Sequence, residues 1–243
     1  MKQKTYFDFE KAIKVDEKML IEIKSCIEEY CPQLRYEAEL ENNDEIEFES
    51  IDELLSFENS PSDRLKSLQI YGKSKDSERH VRVKIGAEKH FGGLFYRTVF
   101  VSLETDDPKM KTIIKESLLN VFERNKLGRV YNFISHMPIF FIMDFLYLCV
   151  LLVLLYSIIN NGMQGENGRL FVMAVIFSIV ELIKMKFEKW YKFFFESVVF
   201  YIGDGKEVYD RNASARSNFF WGVIVGILIP FLISSVWNII KTM

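Results

Sequence analysis

The sequence predicts an α+β cytosolic domain, a mostly antiparallel sheet with flanking helices, followed by an all-α membrane domain of three transmembrane helices. Two observations predict this division. In the first half of the 243-residue chain, short segments alternate apolar and charged residues between turn residues, which is the pattern of half-buried strands. The second half holds long apolar runs with few charges, which is the pattern of membrane-spanning helices.

Three helices are predicted in the first half from apolar spacing and capping residues. The first covers residues 16–30, with its apolar side chains on one face. A capping box opens a short second helix over 50–57. The third has Asp107 as its cap, begins at Pro108, a residue suited to a first helical turn, and runs to Gly128. Strands are predicted at 36–41, 45–49, 66–72, 80–87 and 94–103.

Three apolar runs predict the membrane domain. Residues 138–159 carry Asp144 as their only charge, and at ~1.5 Å per residue they are long enough to cross a hydrocarbon core of roughly 30 Å. Residues 219–240 carry no charge, and the shorter run 169–184 carries Glu181. The predicted division is therefore a cytosolic domain over 1–128, a linker over 129–137 and a membrane domain over 138–243. The last of these includes a cytosolic helical and turn segment over 185–217, in which apolar residues at helical spacing extend to Val198.

Charge around the runs predicts the orientation. The N-terminus lacks the apolar region of a signal peptide. Lysines and arginines cluster within 184–216, whereas residues 160–168 carry no basic residue. Because positive charge is retained on the cytosolic side of a membrane, we expect a multi-pass protein with a cytosolic N-terminus and the lipid bilayer as a partner.

Asp144 and Glu181 are candidate pore residues. Both are expected near the cytosolic ends of their runs, at similar shallow depth. In a homo-oligomer they would form acidic rings around a water-filled pore and favour cations. The alternative is that Glu181 pairs with Lys184 and that Asp144 reaches the headgroups.

Gly222, Gly226 and Pro230 are candidate helix-packing residues. The two glycines form a small-xxx-small pattern that allows close helix approach, and Pro230 follows one turn later. This pattern also arises by chance in apolar runs, so packing within one subunit and dimerisation both stay open.

Charge divides the first domain. Residues 37–58 hold ten carboxylates and no basic residue, whereas residues 73–97 hold seven basic residues and three acidic ones. A basic stripe on an open sheet face can hold the phosphates of a nucleotide or an oligonucleotide. The alternative is that Glu45, Glu47 and Glu49 pair with the stripe across neighbouring strands.

Within that basic region, alternation places His80, Arg82 and Lys84 on one face of the predicted strand 80–87. These three residues form the basic stripe. The candidate ligand-binding residues are His80, Arg82, Lys84, Arg79, Lys89 and Arg97.

No catalytic residue, metal site or cofactor is predicted. The sequence has no P-loop, no GxSxG and no HExxH motif, and its three histidines are scattered. Its three cysteines lack the spacing of a metal site and fit a reducing compartment. The sequence therefore favours a protein that is not an enzyme.

Three stretches resemble a known group of proteins: SIDELLSFENSPSDRLKSLQI (50–70), HVRVKI (80–85) and MDFLYLCVLLVLLYSI (143–158). The chain resembles the HalB membrane effectors of the Hailong anti-phage defence system and similar prokaryotic immune transmembrane effectors, loosely over its whole length. This resemblance implies a bacterial inner (cytoplasmic) membrane protein that forms an oligomeric ion channel. It also implies that DNA oligomers made by a partner nucleotidyltransferase hold the channel shut.

Together these observations favour a homo-oligomeric, ligand-gated membrane pore, for example a tetramer, that acts as a toxic effector in anti-phage defence. Its cytosolic domain would sense a nucleotide or DNA oligomer. The alternative is a membrane-anchored binding or scaffold protein whose spans only localise the cytosolic domain. A third interpretation is a subunit of a larger transport or membrane-enzyme complex.

Overall fold

The structure is a computed structural model that describes residues 3–75, 79–90, 95–136 and 195–223, together with residues 226 and 230. The strands are β1 (Gln3–Phe9), β2 (Ile13–Asp16), β3 (Gln33–Leu40), β4 (Glu45–Phe48), β5 (Leu65–Lys73), β6 (His80–His90), β7 (Phe95–Thr105) and β8 (Val198–Tyr201). The helices are α1 (Glu17–Glu28), α2 (Ile51–Ser56), α3 (Pro108–Arg124), α4 (Arg129–His136) and α5 (Gly205–Val223).

Six of these strands form one antiparallel sheet in the order β1–β7–β6–β5–β3–β4. The central strands β6 and β7 are the longest, with 11 residues each, and a register shift between Ile85 and Glu88 interrupts their pairing. The two remaining strands, β2 and β8, pair in parallel with Ile13 opposite Val198. The main sheet therefore has β1 at one edge and β4 at the other.

The core lies between one face of this sheet and helices α1 and α3. Alternate residues of β6, namely Val81, Val83 and Ile85, are buried on that face. A Cβ at Gly72 of β5 would lie 2.5 Å from Cγ2 of Ile27 in α1, so glycine permits this close approach. The helices contribute Met19, Leu20, Ile23, Ile27, Met110, Ile114, Leu118, Val121 and Phe122 to the core. Full burial of each large aliphatic side chain stabilises the fold by about 1.5–3 kcal/mol.

The predicted helix starts are confirmed by their caps. Asp16 Oδ1 accepts a hydrogen bond from the Met19 amide at 2.9 Å, and the Ser50 hydroxyl accepts one from the Glu53 amide at 3.2 Å. Asp107 caps α3 in the same way, which satisfies amides that the first helical turn would leave unpaired.

Residues 195–223, which follow the stretch 137–194 outside the described residues, belong to the same fold, and we call them the returning chain. Val198, predicted to continue a helical seam, instead begins β8, which pairs with β2. Neither β2 nor β8 is predicted from the sequence, and β1 and α4 are further elements that the sequence pattern does not reveal. The residues predicted as a domain over 1–128 therefore make a strand pair with the chain near residue 200.

The structure corrects the predicted fold class. In the ranges that the structure describes, no helix is long and apolar enough to cross a membrane. Helix α5 reaches into the predicted third span, but its first turns carry charged residues such as Lys206, Asp210 and Arg211. The supported architecture is an antiparallel sheet with a few helices, and the predicted all-α domain of three transmembrane helices is not supported.

The same finding corrects the predicted location and the channel function that depends on it. A multi-pass protein of the bacterial inner membrane is not supported by the helices that the structure describes. The predicted spans 138–159 and 169–184 lie outside the described residues, as does most of 219–240. An ion channel or a pore-forming effector would require such spans, so neither function is supported by the described helices.

Candidate ligand-binding face of the sheet

The basic stripe lies on the face of the sheet opposite the core. Because Val81, Val83 and Ile85 point into the core, the alternate residues His80, Arg82 and Lys84 share the other face. Arg82 is exposed, and His80 and Lys84 are partly exposed. We call this the open face, since helices α1 and α3 pack on the other side.

Cross-strand register places aromatic side chains beside the stripe. Arg82 lies opposite Ser102 on β7 and opposite Tyr71 on β5, and Ser102 lies opposite Tyr6 on β1. One row across four strands therefore reads Tyr6, Ser102, Arg82, Tyr71. The Arg82 guanidinium carbon is 5.9 Å from the centroid of the Tyr71 ring, and Tyr6 is 56% exposed. A cation thus stands between two aromatic side chains on an accessible surface.

Tyr6 belongs to an aromatic pair at the β1 edge. Its ring stacks on Phe100 of β7, with centroids 5.7 Å apart and an interplanar angle of 19°. The Arg97 guanidinium carbon lies 4.6 Å from the Phe100 centroid, and its Nη1 is 3.7 Å from Oδ1 of Asp8. Arg97 is therefore held against this pair by a ring contact and an ion pair.

A second aromatic pair joins Tyr71 of β5 to His80 of the stripe. The Tyr71 hydroxyl and His80 Nδ1 are 2.9 Å apart, which is a hydrogen-bond distance. Their ring centroids are 5.9 Å apart, at an interplanar angle of 24°. This pairing restrains both rings, so the surface beside Arg82 is ordered before any ligand arrives.

The acidic half of the open face lies on β3 and β4. The Glu37 carboxylate accepts a hydrogen bond from the side-chain amide of Gln69 at 2.9 Å, and Glu39 forms an ion pair with Lys66. The hydrogen bond from Lys66 is the largest cause of the lowered pKa of the Glu39 carboxyl, and the charge of Lys84 makes a smaller contribution. These carboxylates are thus already engaged with residues of β5 and β6.

The alternative pairing of Glu45, Glu47 and Glu49 with the stripe across neighbouring strands is wrong. Strands β5 and β3 lie between β6 and β4, so the stripe and these carboxylates are not on neighbouring strands. Glu47 pairs instead with Arg35 of β3 at 2.8 Å. The open face is therefore divided into a basic, aromatic half over β1, β7, β6 and β5 and an acidic half over β3 and β4.

The other candidate ligand-binding residues lie around the stripe rather than on it. Arg79 precedes β6, and its backbone amide donates to the Ser74 hydroxyl at 3.1 Å. Its Nε is buried and has no hydrogen-bond partner within the described ranges. Lys89 pairs with Tyr96 in the β6–β7 register, but its side chain lies outside the described part.

The predicted pore and packing residues lie outside the described residues or at their C-terminal limit. Asp144 and Glu181 lie outside the described residues. Gly222 lies in α5, and no atom of the described residues lies within 4 Å of the point where a Cβ of Gly222 or Gly226 would stand. Pro230 is exposed. The packing role of these three residues stays a prediction.

Sequence reasoning missed the aromatic residues of the open face. Leu68 and Ile70 lie on one face of β5, so alternation places Tyr71 on the other face, which is the face that carries Arg82 of β6. Tyr6 and Phe100 carried no comparable signal, because β1 was not predicted and their stacking depends on a pairing 94 residues apart (100 − 6).

The described ranges contain no group of three His, Cys, Asp or Glu side chains that could hold a metal ion. Cations and aromatic rings line the basic, aromatic half of the open face. No protein-family model, no curated protein and no solved structure matches this chain.

Proposed function

We propose that this chain is a non-catalytic sensor whose open face binds a nucleotide or an oligonucleotide. The observation that carries the proposal is the row in which Arg82 stands between Tyr6 and Tyr71. Phosphate is a partner for a guanidinium, and a nucleobase is a partner for an exposed aromatic ring.

The division of charge supports a local site rather than general binding of nucleic acid. Residues 1–136 hold 26 acidic and 22 basic side chains, a net charge of −4. A polyanion would be repelled by the acidic half, where the Glu37 and Glu39 carboxylates lie, and attracted only to the basic, aromatic half. We therefore expect a short footprint across β1, β7, β6 and β5.

The geometry of stacking supports a ligand with bases rather than a simple anion. Strands lie ~4.8 Å apart, so Tyr6 on β1 and Tyr71 on β5 are separated by roughly 14 Å, and an oligonucleotide of several residues can reach both rings. Base stacking on an aromatic side chain contributes ~1–3 kcal/mol per base. Loss of Tyr6 should therefore weaken binding by about tenfold or more.

The test is fluorescence anisotropy of the full chain with a labelled short single-stranded DNA, with mononucleotides as competitors. We expect Tyr6→Ala and Arg82→Ala each to weaken binding by about tenfold, and Arg82→Ala also to lower the salt dependence. Tyr6→Phe keeps the ring and should bind like the unaltered chain.

Arg124→Ala is the matched control for charge. Arg124 is an exposed basic residue of α3, on the side of the sheet opposite the open face, where it pairs with Glu22 at 2.8 Å. Its loss should leave the affinity nearly unchanged. Equal losses for Arg124→Ala and Arg82→Ala, or no binding of any nucleotide or oligonucleotide, would rule the proposal out.

A second candidate is a protein-binding role, with a second copy of this chain as the partner. It is favoured by Val130 and Phe133 of α4, which are 66% and 67% exposed and three residues apart, so that they share one helix face. Light scattering tests it. Val130→Ser with Phe133→Ser should lower the molar mass of an oligomer, whereas a single-chain mass for the unaltered protein would exclude this partner.

A further inference from the structure

Strand β1 forms an unpaired edge of the main sheet. It has seven residues, and among the described elements it pairs only with β7. In an antiparallel pair, the N–H and C=O groups of every second residue point away from the partner strand. One row of backbone donors and acceptors on β1 is therefore directed away from the sheet, over about 24 Å at ~3.4 Å per residue.

The side chains along this edge are arranged symmetrically. Lys4, Tyr6 and Asp8 alternate on the open face, and all three are exposed. Tyr6 is 56% exposed, and the Lys4 ammonium nitrogen lies 5.5 Å from its ring centroid. A cation and a carboxylate thus stand at equal distances along the strand on either side of one tyrosine.

Two-fold symmetry makes this arrangement self-complementary. A two-fold axis normal to the sheet sets two copies of β1 antiparallel and keeps both open faces on the same side. With Tyr6 of both copies at the axis, Lys4 of each copy lies opposite Asp8 of the other. Two cross-strand ion pairs then flank a pair of tyrosines, and opposite charges in directly opposed positions stabilise a strand pair.

The other face of the strand fits the same pairing. It places Thr5 of each copy opposite Phe7 of the other, a β-branched side chain against an aromatic one. Phe7 is partly exposed and packs at the margin of the core, where the Lys115 ammonium nitrogen lies 5.8 Å from its ring centroid. A partner strand covers the part of Phe7 that a single chain leaves exposed.

The opposite edge of the sheet lacks this complementarity. Strand β4 has four residues, and its exposed residues Glu45 and Glu47 are both acidic. An antiparallel pair of two β4 strands centred on Ile46 sets carboxylate against carboxylate, which is destabilising. Charge therefore favours self-association at β1 and opposes it at β4.

We propose that β1 is a self-association edge, at which two copies of this chain pair antiparallel about Tyr6 and join their six-stranded sheets into one. The basic, aromatic halves of the two open faces then form a single surface. A strand of this length buries less area than a standard interface of ~1,600 Å², so the dimer is weak and depends on protein concentration. The association needs no bound nucleotide, and its test is independent of the proposed ligand.

The test is sedimentation velocity of the full chain without ligand, from about 1 µM to about 1 mM, the range in which small interfaces associate. The unaltered chain should shift from one copy to two. Lys4→Glu and Asp8→Lys each set like charges opposite each other at both ion pairs, so each should weaken dimerisation by about tenfold or more. Val130→Ser with Phe133→Ser should leave this dimer intact, which separates it from association through α4.

A mixture of the two single variants gives the sharpest comparison. The glutamate introduced at position 4 of one copy then faces the lysine introduced at position 8 of the other, and the remaining Asp8 faces the remaining Lys4. The mixture should therefore dimerise about as strongly as the unaltered chain. A dimer that survives both single changes, two folded variants that fail to combine, or an unaltered chain that stays single at the highest concentration would overturn the proposal.

A disulfide cross-link tests the register if Asp8→Lys does not fold, since Asp8 also pairs with Arg97 in its own chain. Tyr6→Cys places two thiols across the axis, where opposed Cβ atoms lie ~4.5–5.5 Å apart, near the range that a disulfide needs. It should form a covalent dimer under a mild oxidant. Lys4→Cys sets the two thiols roughly 14 Å apart along the strands and should match the unaltered chain. Equal cross-linking by both variants, or none by Tyr6→Cys, would contradict the pairing.

Discussion

The side-chain amide of Asn59 donates a hydrogen bond to the backbone oxygen of Phe200 at 3.3 Å, across 141 residues of sequence. The same nitrogen donates to the Ile202 oxygen at 3.3 Å, and Asn59 Oδ1 accepts from the Leu65 amide at 2.8 Å. Asn59 is 2% exposed and has a positive φ of 49°. This residue therefore joins the loop before β5 to the returning chain.

Asn59→Ala should lower the free energy of unfolding by about 2–4 kcal/mol, because it leaves buried backbone groups unpaired and keeps a Cβ at positive φ. Chemical denaturation measures this loss. Asn59→Gly separates the two causes, since it relieves the backbone and still lacks the amide. Asn43→Ala is the control: Asn43 also has a positive φ, 68°, but is exposed. Equal losses at both asparagines would contradict the role assigned to Asn59.

Gly203→Ala should release the returning chain from the loop near residue 58. A Cβ at Gly203 would lie 2.0 Å from the Glu58 oxygen, and φ there is +50°. Neither backbone segment can move aside without breaking the hydrogen bond from the Asp204 amide to the Glu58 oxygen. Protection of the Asp204 amide from exchange should be lost.

Gly128→Ala provides the comparison for this substitution, because a Cβ at Gly128 would meet no atom of the described part of the chain within 4 Å. It should leave the same amide protected. Retained protection of Asp204 in Gly203→Ala would show that the contact is not required.

Tyr36→Phe should leave stability unchanged or raise it by up to about 1 kcal/mol. Tyr36 is 2% exposed, and within the described ranges its hydroxyl has no hydrogen-bond partner. Burial raises the pKa of this hydroxyl to about 12, with smaller contributions from the charges of Glu28 and Asp52. Thermal denaturation gives the comparison, and a loss above about 1 kcal/mol would reveal a partner for the hydroxyl.

Ile114→Ala should cost about 2–5 kcal/mol, whereas the neighbouring Ile113→Ala should cost far less. The two isoleucines are adjacent on α3, but Ile114 is 1% exposed and Ile113 is 50% exposed. The same change of side chain therefore leaves a cavity at one site and open surface at the other. Urea denaturation of both variants measures the difference, and similar costs would mean that α3 packs differently.

Arg64→Gln should raise the pKa of the Glu196 carboxyl above its value of about 7, because the guanidinium is the main group that lowers it. The loss of stability that accompanies rising pH should then extend to higher pH. Carbon-detected titration of Glu196 measures the shift. Arg35→Gln, which removes an exposed arginine paired with Glu47, should leave Glu196 unaffected.

Local sequence patterns were sufficient to predict much of the sheet and the helices that cover it. The α3 helix followed from its Asp107 cap and from apolar spacing, and β6 followed from the alternation of Val81, Val83 and Ile85. These signals are local because each depends on neighbours within a few residues.

The pairing of strands far apart in the sequence could not be predicted from local patterns. The run Val198–Tyr201 is apolar and short, and periodicity alone does not distinguish such a strand from a buried helix. Its partner β2 is equally short and lies near the start of the chain. For the same reason the candidate site was predicted only in part: the stripe on β6 was found, but Tyr6, which reaches the site through β1 and β7, was not.

The parallel pairing of β2 with β8 sets an order of events during synthesis. Ile13 emerges from the ribosome 185 residues before Val198 (198 − 13). At ~5–20 residues per second, β2 waits roughly 10 to 40 s for its partner. The six-stranded sheet can form within this interval, since its last strand ends at Thr105. Closure of the β2–β8 pair is then a late event, and a nascent chain that stalls before residue 198 carries a finished sheet with an unpaired strand beside it.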